Sequence, residues 1–289
     1  MKSFDKKTIV ITGASGGIGE CLAHDFAKAG AQLILTDINE QKLNILGNLI
    51  KDTYTTKVIT YTIDVSNQDD VKEFAEYILQ EFDKIDVLIN NAGIGHLGEL
   101  AETSIDKWKQ LIDVNLLGPI YHTSALLPSM IKNKCGHIVN VSSGQAFYRM
   151  PTWGAYSVSK LALGAYSEIL RHELRKFNIK VTTCYPFLIN TGFYDDVEGD
   201  NLFQKLSIKL MPLYSMRAKR VARIIFNATK REKSIEMVSI LNYIGKFSLF
   251  SFKLWDLMAY AIALTLGKKA DEITLPNINE NIKNKKNAK

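Results

Sequence analysis

The chain has 289 residues, of which 46% are hydrophobic and 23% are charged. At this length a folded chain buries roughly three quarters of the surface that its extended form exposes, so neither a disulfide nor a metal is needed to stabilise it. Cys21, Cys135 and Cys184 lie far apart and lack the short paired spacing of a zinc site. We therefore expect no metal site, and we expect three small buried thiols in a reducing compartment.

The formal net charge is +6, and half of this excess lies at the C-terminus. In residues 267–289 six lysines face three acidic residues in a segment rich in asparagine, which predicts a solvated, disordered tail over residues 268–289. The basic residues are not interleaved with aromatic ones, so nucleic acid is not an expected partner. The N-terminus carries no signal-peptide pattern, which favours a cytoplasmic location.

Short apolar runs rich in β-branched residues alternate with amphipathic stretches along the chain. The runs predict strands over residues 8–12, 32–36, 57–63, 86–89, 137–141 and 180–185. The stretches predict helices over residues 18–29, 40–51, 71–82, 105–131 and 155–177. An irregular insert, a helix over 218–230 and a strand over 235–240 complete the pattern.

Nearly continuous apolar strands separated by helices indicate a parallel sheet that is covered on both faces. Right-handed crossovers then give a doubly wound, Rossmann-like α/β fold, which we expect to occupy residues 1–240 as a single domain. Ligands of such sheets bind beyond the carboxyl ends of the strands. Chemistry is therefore expected directly after strands.

A glycine-rich turn, Thr12-Gly-Ala-Ser-Gly-Gly-Ile-Gly19, joins the first predicted strand to the first helix. Glycines in this position let the backbone approach a pyrophosphate, whose charge is met by the helix N-terminus. Asp37 ends the second predicted strand, where a carboxylate accepts the ribose hydroxyls of an adenosine and repels a 2′-phosphate. NAD is therefore expected in preference to NADP. The competing interpretation of Asp37 is an N-cap of the next helix.

The order of these motifs resembles the short-chain dehydrogenase/reductase family over roughly residues 5–192. The matching motifs are TGxxxGxG at 12–19, NNAG at 90–93, an Asn at 115, a Ser at 143, and the YxxxK pair at 156 and 160. Of the twelve tyrosines, only Tyr156 has a lysine four residues further on. The resemblance implies an NAD(P)-dependent oxidoreductase acting on CH–OH groups.

The resemblance also implies the residues of the site. The catalytic set would be Asn115, Ser143, Tyr156 and Lys160. The cofactor contacts would be Gly13, Ser15, Gly17, Ile18, Gly19, Asp37, Asp64, Val65, Asn91, Ala92, Gly93, Tyr156, Lys160 and Thr191. Within this set, Asp64 and Val65 would contact adenine, Thr191 the nicotinamide carboxamide, and Asn115 a water that relays protons to Lys160.

Tyr156 and Lys160 are one helical turn apart and so share a face. A phenol is ordinarily too weak an acid to act as a base at neutral pH, and an ammonium held nearby favours the phenolate. Ser143 would hydrogen-bond the substrate oxygen, whereas the side chain of Ser142 would point to the opposite face. His96 follows NNAG and is a candidate pocket residue, and the other histidines are expected to be structural.

One position departs from the family pattern: Phe187 follows Pro186, where a glycine is usual. Phenylalanine cannot adopt a positive φ cheaply, so this loop is expected to take a different path near the nicotinamide. The departure affects the shape of the substrate pocket and leaves the hydride chemistry unchanged.

Residues 241–267 are unusually apolar and predict a hydrophobic helical extension. The longest uninterrupted apolar run, residues 257–266, is about half the length of a bilayer span. Three interpretations stay open: a core or subunit-interface helix, a lid over a lipophilic substrate, or an interfacial membrane helix flanked by Lys268 and Lys269.

The leading hypothesis is an oxidoreductase that transfers a hydride between NAD(H) and a lipophilic secondary alcohol or ketone of the steroid, retinoid or long-chain acyl type. The alternative is a non-catalytic dinucleotide-binding regulator on the same fold, which would need no proton donor such as Tyr156. The resemblance further implies a homodimer or homotetramer that pairs through the helices at 105–131 and 155–177.

Overall fold

Seven parallel strands form the central sheet of this computed structural model, which describes residues 3–190 and 215–248 together with residues 257, 260 and 261. The strands are β1 Thr8–Thr12, β2 Gln32–Asp37, β3 Val58–Thr62, β4 Val87–Asn90, β5 Gly136–Val141, β6 Ile179–Cys184 and β9 Ile235–Glu236. Two short strands, β7 Ile189–Asn190 and β8 Met216–Arg217, pair separately.

Helices connect these strands, as expected for a parallel sheet. They are α1 Gly17–Lys28, α2 Glu40–Thr53, α3 Gln68–Glu81, α4 Ile105–Ile112, α5 Gly118–Lys132, α6 Gln145–Tyr148, α7 Gly154–Leu174, α8 Ala218–Lys230 and α9 Ile240–Ser248. The expected doubly wound, Rossmann-like fold is therefore confirmed.

The strand order, β3-β2-β1-β4-β5-β6-β9, places β1 beside β4 in the middle of the sheet. The chain runs outward from β1 through β2 to β3, and then returns to β4 on the other side of β1. Such a reversal opens a crevice at the carboxyl ends of the strands on either side of it. The glycine turn after β1 and the NNAG segment after β4 both lie at this reversal.

Alternating residues of the strands pack into separate cores on the two faces of the sheet. Ile9 and Ile11 join the core beneath α1 and α8, whereas Val10 joins the core beneath α3 and α5. Rings of Phe4, Phe26 and Phe226 meet in the first core, with centroids 4.8 to 5.1 Å apart. Burial on both faces explains why β1, β2 and β4 each contain three consecutive apolar residues.

The helix predicted over 105–131 is interrupted by a π-helical segment, Asp113–Leu117, between α4 and α5. Pro119 follows this segment and has no backbone N–H to donate to the carbonyl of residue 115, so regular α-helical bonding fails here. The π-helical segment carries Asn115, which is completely buried. Such insertions often occur at functional sites.

Three other predictions need correction in detail. The last strand is shorter than 235–240, because a helix begins at Ile240. The helix predicted over 155–177 ends with a 3-10 turn, Arg175–Phe177. Of the three cysteines only Cys184 is buried, whereas Cys21 and Cys135 are partly exposed.

Among the residues that the structure describes, no helix has the length and apolarity needed to cross a bilayer. The same residues contain no group of His, Cys, Asp or Glu side chains arranged to hold a metal ion. The predicted extension at 241–267 is described only through residue 248 and at three later positions, and the predicted tail at 268–289 lies outside the described residues. The proposed division at residue 240 stays a prediction.

Candidate active site

The glycine turn follows β1 and packs directly against the NNAG segment after β4. Gly13 has a φ of +61°, and a Cβ atom there would lie 2.7 Å from the Cα of Ala92. A Cβ atom on Gly19 would overlap the carbonyl oxygen of Gly13. Side chains are therefore excluded at both positions, and the backbone of the turn lies open at the start of α1, where Gly17 is exposed.

Thr12 joins the two segments through its side chain. Its Oγ1 accepts hydrogen bonds from the backbone N–H groups of Asn91 and Ala92, both at 3.1 Å. In return, Asn91 Nδ2 donates to the carbonyl oxygens of Thr12 and Gly13, both at 3.0 Å. The crevice at the strand reversal is therefore lined by a cross-linked backbone. Sequence analysis identified Thr12 only as a motif position.

The carboxylate of Asp37 lies at the carboxyl end of β2, beside the glycine turn. Its Oδ2 accepts a hydrogen bond from the backbone N–H of Ser15, and its Oδ1 accepts one from the N–H of Asn39, both at 3.0 Å. The N-cap of α2 is Asn39 and not Asp37, so the competing interpretation of Asp37 is wrong. A carboxylate offers about four acceptor positions, which leaves two for a ribose diol.

Two further predicted adenine contacts lie beyond β3. Asp64 Oδ1 accepts hydrogen bonds from the backbone N–H and the hydroxyl of Ser66, at 2.9 and 2.7 Å. Val65 is buried and packs against Gly118. A Cβ atom on Gly118 would lie 3.0 Å from the Val65 carbonyl oxygen. Thr191, the predicted carboxamide contact, lies outside the described residues.

Tyr156 and Lys160 lie on the first turns of α7, and both side chains are buried. Lys160 Nζ donates a hydrogen bond to the carbonyl oxygen of Val141, 3.1 Å away at the end of β5. A Cβ atom on Gly93 would lie 3.0 Å from both Lys160 Nζ and Asn115 Oδ1. The amine, the π-helical asparagine and the NNAG loop therefore converge at one place.

Burial lowers the pKa of Lys160 to about 8. This lysine has no ion-pair partner among the described residues, so its buried charge is compensated by the Val141 carbonyl alone. At neutral pH the amine is still mostly protonated. The fold therefore keeps a charged amine buried one helical turn after the predicted proton donor, Tyr156, and this burial is unfavourable.

The side chain of Asn115 holds the loop after NNAG through both of its polar atoms. Its Oδ1 accepts from the Ile94 N–H and its Nδ2 donates to the Ile94 carbonyl, both at 2.9 Å. Nδ2 also donates to Ser159 Oγ at 3.1 Å. The expected anchoring of a relay water by Asn115 stays a prediction.

The two serines after β5 have different surroundings. Ser142 Oγ donates to the backbone carbonyl of Lys160 at 2.7 Å, which ties β5 to α7. Ser143 Oγ accepts from the N–H of Gln145 at 3.2 Å, and its hydroxyl hydrogen has no acceptor within the described chain. Ser143 can therefore donate a hydrogen bond to an incoming oxygen atom.

An apolar wall surrounds the phenol of Tyr156. The ring of Trp153 meets it edge-on, with centroids 5.8 Å apart. The wall consists of Leu111 and Ala155, which are buried, and of Ile94, Trp108 and Trp153, which are partly buried. His96 lies in the adjoining loop, where its Nε2 is 3.2 Å from Thr103 Oγ1 and where burial, with Lys107 nearby, lowers its pKa.

The loop after β6 contains Phe187 and a left-handed residue directly after it. The φ of +51° falls on Leu188, the residue after Phe187, and the expected departure from the family's path stays a prediction. Phe187 is buried and stacks on Tyr148, with centroids 4.6 Å apart and planes inclined by 16°. Gly144 fits beneath this pair, because a Cβ atom there would lie 2.6 Å from the Phe187 ring.

The start of the C-terminal extension, α9, packs on the segment that follows Ser143. The hydroxyl of Tyr148 donates to the carbonyl of Leu241, and Asn242 is completely buried with its Nδ2 donating to the carbonyl of Tyr185. Sequence analysis missed Tyr148 and Asn242. The signal that could have identified Asn242 is a lone amide side chain within an apolar stretch.

Comparisons with known proteins show the family of the chain. The sequence model of the short chain dehydrogenase family matches residues 7–201, more than half of the chain. Dehydrogenase/reductase SDR family member 7B of Mus musculus is 35% identical over 228 residues, which are 78% of this chain and 71% of that protein. An uncharacterized oxidoreductase of Staphylococcus saprophyticus is 33% identical over 198 residues, 68% of this chain and 85% of that protein.

Solved structures show the same similarity. A short-chain dehydrogenase/reductase from Burkholderia phymatum in complex with NAD has a TM-score of 0.81 and 26% identity, covering 88% of this chain and 96% of that chain. A metagenomic short-chain oxidoreductase in complex with NADP has a TM-score of 0.66 and 26% identity, covering 81% of this chain and 95% of that chain. The chain belongs to the short-chain dehydrogenase/reductase family, and its enzyme class is that of an NAD(P)-dependent oxidoreductase acting on CH–OH groups.

Proposed function

We propose that the enzyme interconverts a lipophilic secondary alcohol and its ketone with NAD(H), and that Tyr156 transfers the proton. The observation that carries this proposal is the burial of Tyr156 and Lys160 together at the strand reversal, with the free Ser143 hydroxyl on the adjoining β5 loop. This set combines a proton donor, a cation and a hydrogen-bond donor for the substrate oxygen.

In the proposed mechanism, Ser143 donates a hydrogen bond to the substrate oxygen and orients it towards Tyr156. Tyr156 takes the hydroxyl proton during oxidation and returns it during reduction. Lys160 stabilises the phenolate form, and below pH 8 its amine is mostly charged, as this role requires. When bound, the nicotinamide dinucleotide supplies or accepts the hydride.

The residues at the reversal fit a dinucleotide. The open backbone of the glycine turn and the start of α1 would hold the pyrophosphate, and Asp37 would accept the adenosine hydroxyls. We propose NAD(H) as the preferred cofactor, because Asp37 would repel the 2′-phosphate of NADP(H). The similar solved structures include both an NAD complex and an NADP complex, so the preference rests on Asp37.

The lipophilic substrate is proposed from the surroundings of the phenol. Tyr156 is walled by apolar side chains, and the stacked pair Phe187 and Tyr148 adds aromatic surface beside the Ser143 loop. Burying an apolar substrate against these rings is favourable by about 25 cal/mol per Å². The contact of α9 with Tyr148 supports the lid interpretation of the C-terminal extension.

We also propose that α9 contacts a lipid surface and that subunits pair through α5 and α7. Four large apolar side chains of α9 are mostly exposed: Ile240, Tyr243, Ile244 and Phe247. The lysine-rich residues that follow at 268–289 would complement an anionic membrane. On α7, Val158, Leu161 and Ile169 are exposed and would be covered by a second subunit.

A substrate series tests the proposed chemistry. Purified enzyme is mixed with NAD⁺ and with secondary alcohols of increasing apolar size, and NADH formation is followed by absorbance. We expect kcat/KM to rise with apolar size. Turnover confined to short polyols would contradict the lipophilic assignment, and NADH binding without turnover of any alcohol would favour the regulator.

A further inference from the structure

We propose that a second binding site, selective for a small phosphate-bearing anion, lies at the end of the sheet opposite the catalytic residues. The site is a cavity of about 440 Å³ between the end of α7, the beginning of β6 and the turn after α8. Ser143 and Lys160 lie at the carboxyl ends of the strands, whereas this cavity adjoins Ile179, the first residue of β6. The two sites are therefore separated by the length of the sheet.

The cavity has a strongly cationic lining. Three arginines and one lysine face a single carboxylate there: Arg171, Arg175, Lys180 and Arg231 against Glu232. Within the described residues neither Arg175 nor Arg231 has a carboxylate at ion-pair distance. Like charges gathered in this way repel one another, so an anion bound among them would relieve the repulsion.

Arg171 provides the second, independent indication of a ligand. Its Nη1 is buried and has no hydrogen-bond partner among the described residues, although its Nη2 lies 3.8 Å from Glu168 Oε1. A buried donor without an acceptor is unfavourable, and more so when it is charged. Arg171 also lines the cavity, and an anion bound there would give its guanidinium group an acceptor.

The chemistry of the lining indicates the kind of anion. Guanidinium groups bind phosphate and carboxylate oxygens through paired N–H donors, and Lys180 adds a compact charge. Several cations around one cavity match a dianion better than a monoanion. A volume of about 440 Å³ is within the range of small-molecule sites, so it has room for free phosphate or a small phosphate monoester.

Binding of inorganic phosphate and of glycerol phosphate, measured by calorimetry at constant ionic strength, tests this proposal. We expect each anion to bind with a stoichiometry of one per chain. In the double variant Arg171→Gln/Arg175→Gln the affinity should fall at least tenfold. The matched control, Arg217→Gln/Arg220→Gln, changes two arginines near the start of α8 and should bind as the unchanged protein does. Tighter binding of glycerol phosphate would identify an organic monoester as the ligand, and equal binding would identify free phosphate.

Three results would overturn the proposal: no binding beyond that of chloride, equal binding by both double variants, or one-for-one competition between phosphate and NADH. Competition would locate the anion at the cofactor site. The Tyr156→Phe variant should bind phosphate normally, so failure of the proposed catalytic role leaves this test intact. Circular dichroism of the arginine variants would show whether lost affinity reflects lost folding.

Discussion

The buried charge of Lys160 lowers the stability of the folded protein. Its amine is buried, it donates a hydrogen bond to the backbone carbonyl of Val141, and burial lowers its pKa to about 8. Below pH 8 the amine is charged in both the folded and the unfolded chain, so folding bears the full cost of burying that charge. Between pH 8 and 10.5 the folded amine loses its proton first, and stability rises with pH.

Replacing Lys160 by methionine should therefore stabilise the cofactor-free protein while abolishing turnover. The shift in pKa corresponds to about 3 kcal/mol at pH 7, which is an upper bound because the hydrogen bond to Val141 is also lost. Urea unfolding at several pH values measures the effect. The advantage of the variant should shrink as pH rises from 8 to 10.5. A variant less stable than the unchanged protein at pH 7 would contradict the account.

Asp37 decides the cofactor preference in the proposal. Its replacement by asparagine keeps an oxygen acceptor for the Ser15 N–H and removes the charge that repels a 2′-phosphate. We expect the ratio of kcat/KM for NAD⁺ to that for NADP⁺ to fall at least tenfold, which is about 1.4 kcal/mol. Steady-state kinetics with both cofactors measure the ratio. The control is Glu40→Gln, which replaces an exposed carboxylate on α2. An equal change of the ratio in both variants would show that Asp37 does not determine the cofactor preference.

At the scale of secondary-structure elements, the ends of β1 and β4 act as one unit because Thr12 joins them. Two backbone N–H groups depend on its hydroxyl oxygen, those of Asn91 and Ala92. Their positions set the loop that meets Lys160 and Asn115 at Gly93. A small side chain outside the catalytic set thus positions the catalytic loop.

Thr12→Val should leave both N–H groups without an acceptor and lower the free energy of unfolding by about 2 kcal/mol. Thr12→Ser keeps the oxygen and should stay within about 1 kcal/mol of the unchanged protein. Urea unfolding of the pair measures the difference. Equal stability of the two variants would show that the hydroxyl does not carry this link.

The elements also show what sequence can and cannot predict. Strands β1 to β6 occur where the short apolar runs indicate, because the central residues of a parallel sheet are buried on both faces. The π-helical segment at 113–117 depends on how Asn115 bonds the distant Ile94, which local periodicity does not contain. The docking of Asn242 beneath Gly144 depends on tertiary contact in the same way.

In the whole molecule, the sequence motifs meet at one site because the parallel strands bring residues that are far apart in sequence to the same edge of the sheet. Gly13, Asn91, Ser143 and Lys160 all follow or face the carboxyl ends of strands, as the doubly wound topology requires. Sequence does not identify the substrate, because one fold and one set of catalytic residues serve many substrates. Local sequence also gives no signal for the positively charged cavity at Arg171, since its residues come from separate elements.

The exposed apolar face of α9 predicts that the whole molecule binds to a lipid surface. Vesicles of anionic phospholipid should bind the protein in flotation, and Ile244→Ser/Phe247→Ser should reduce the bound fraction severalfold because two exposed apolar side chains are removed. Ile45→Ser/Ile105→Ser removes two exposed isoleucines elsewhere and should float normally. Equal flotation of both variants would exclude α9 as the contact.

The most direct test of the central claim compares two tyrosines of the same helix, Tyr156 and Tyr166. Initial rates of NADH formation are measured for the Tyr156→Phe and Tyr166→Phe variants, with NADH binding measured in parallel by fluorescence. The account predicts a loss of about 10²- to 10⁴-fold in kcat for Tyr156→Phe, with NADH binding kept and Tyr166→Phe nearly unaffected. Full turnover by Tyr156→Phe on a substrate of the unchanged enzyme would contradict it.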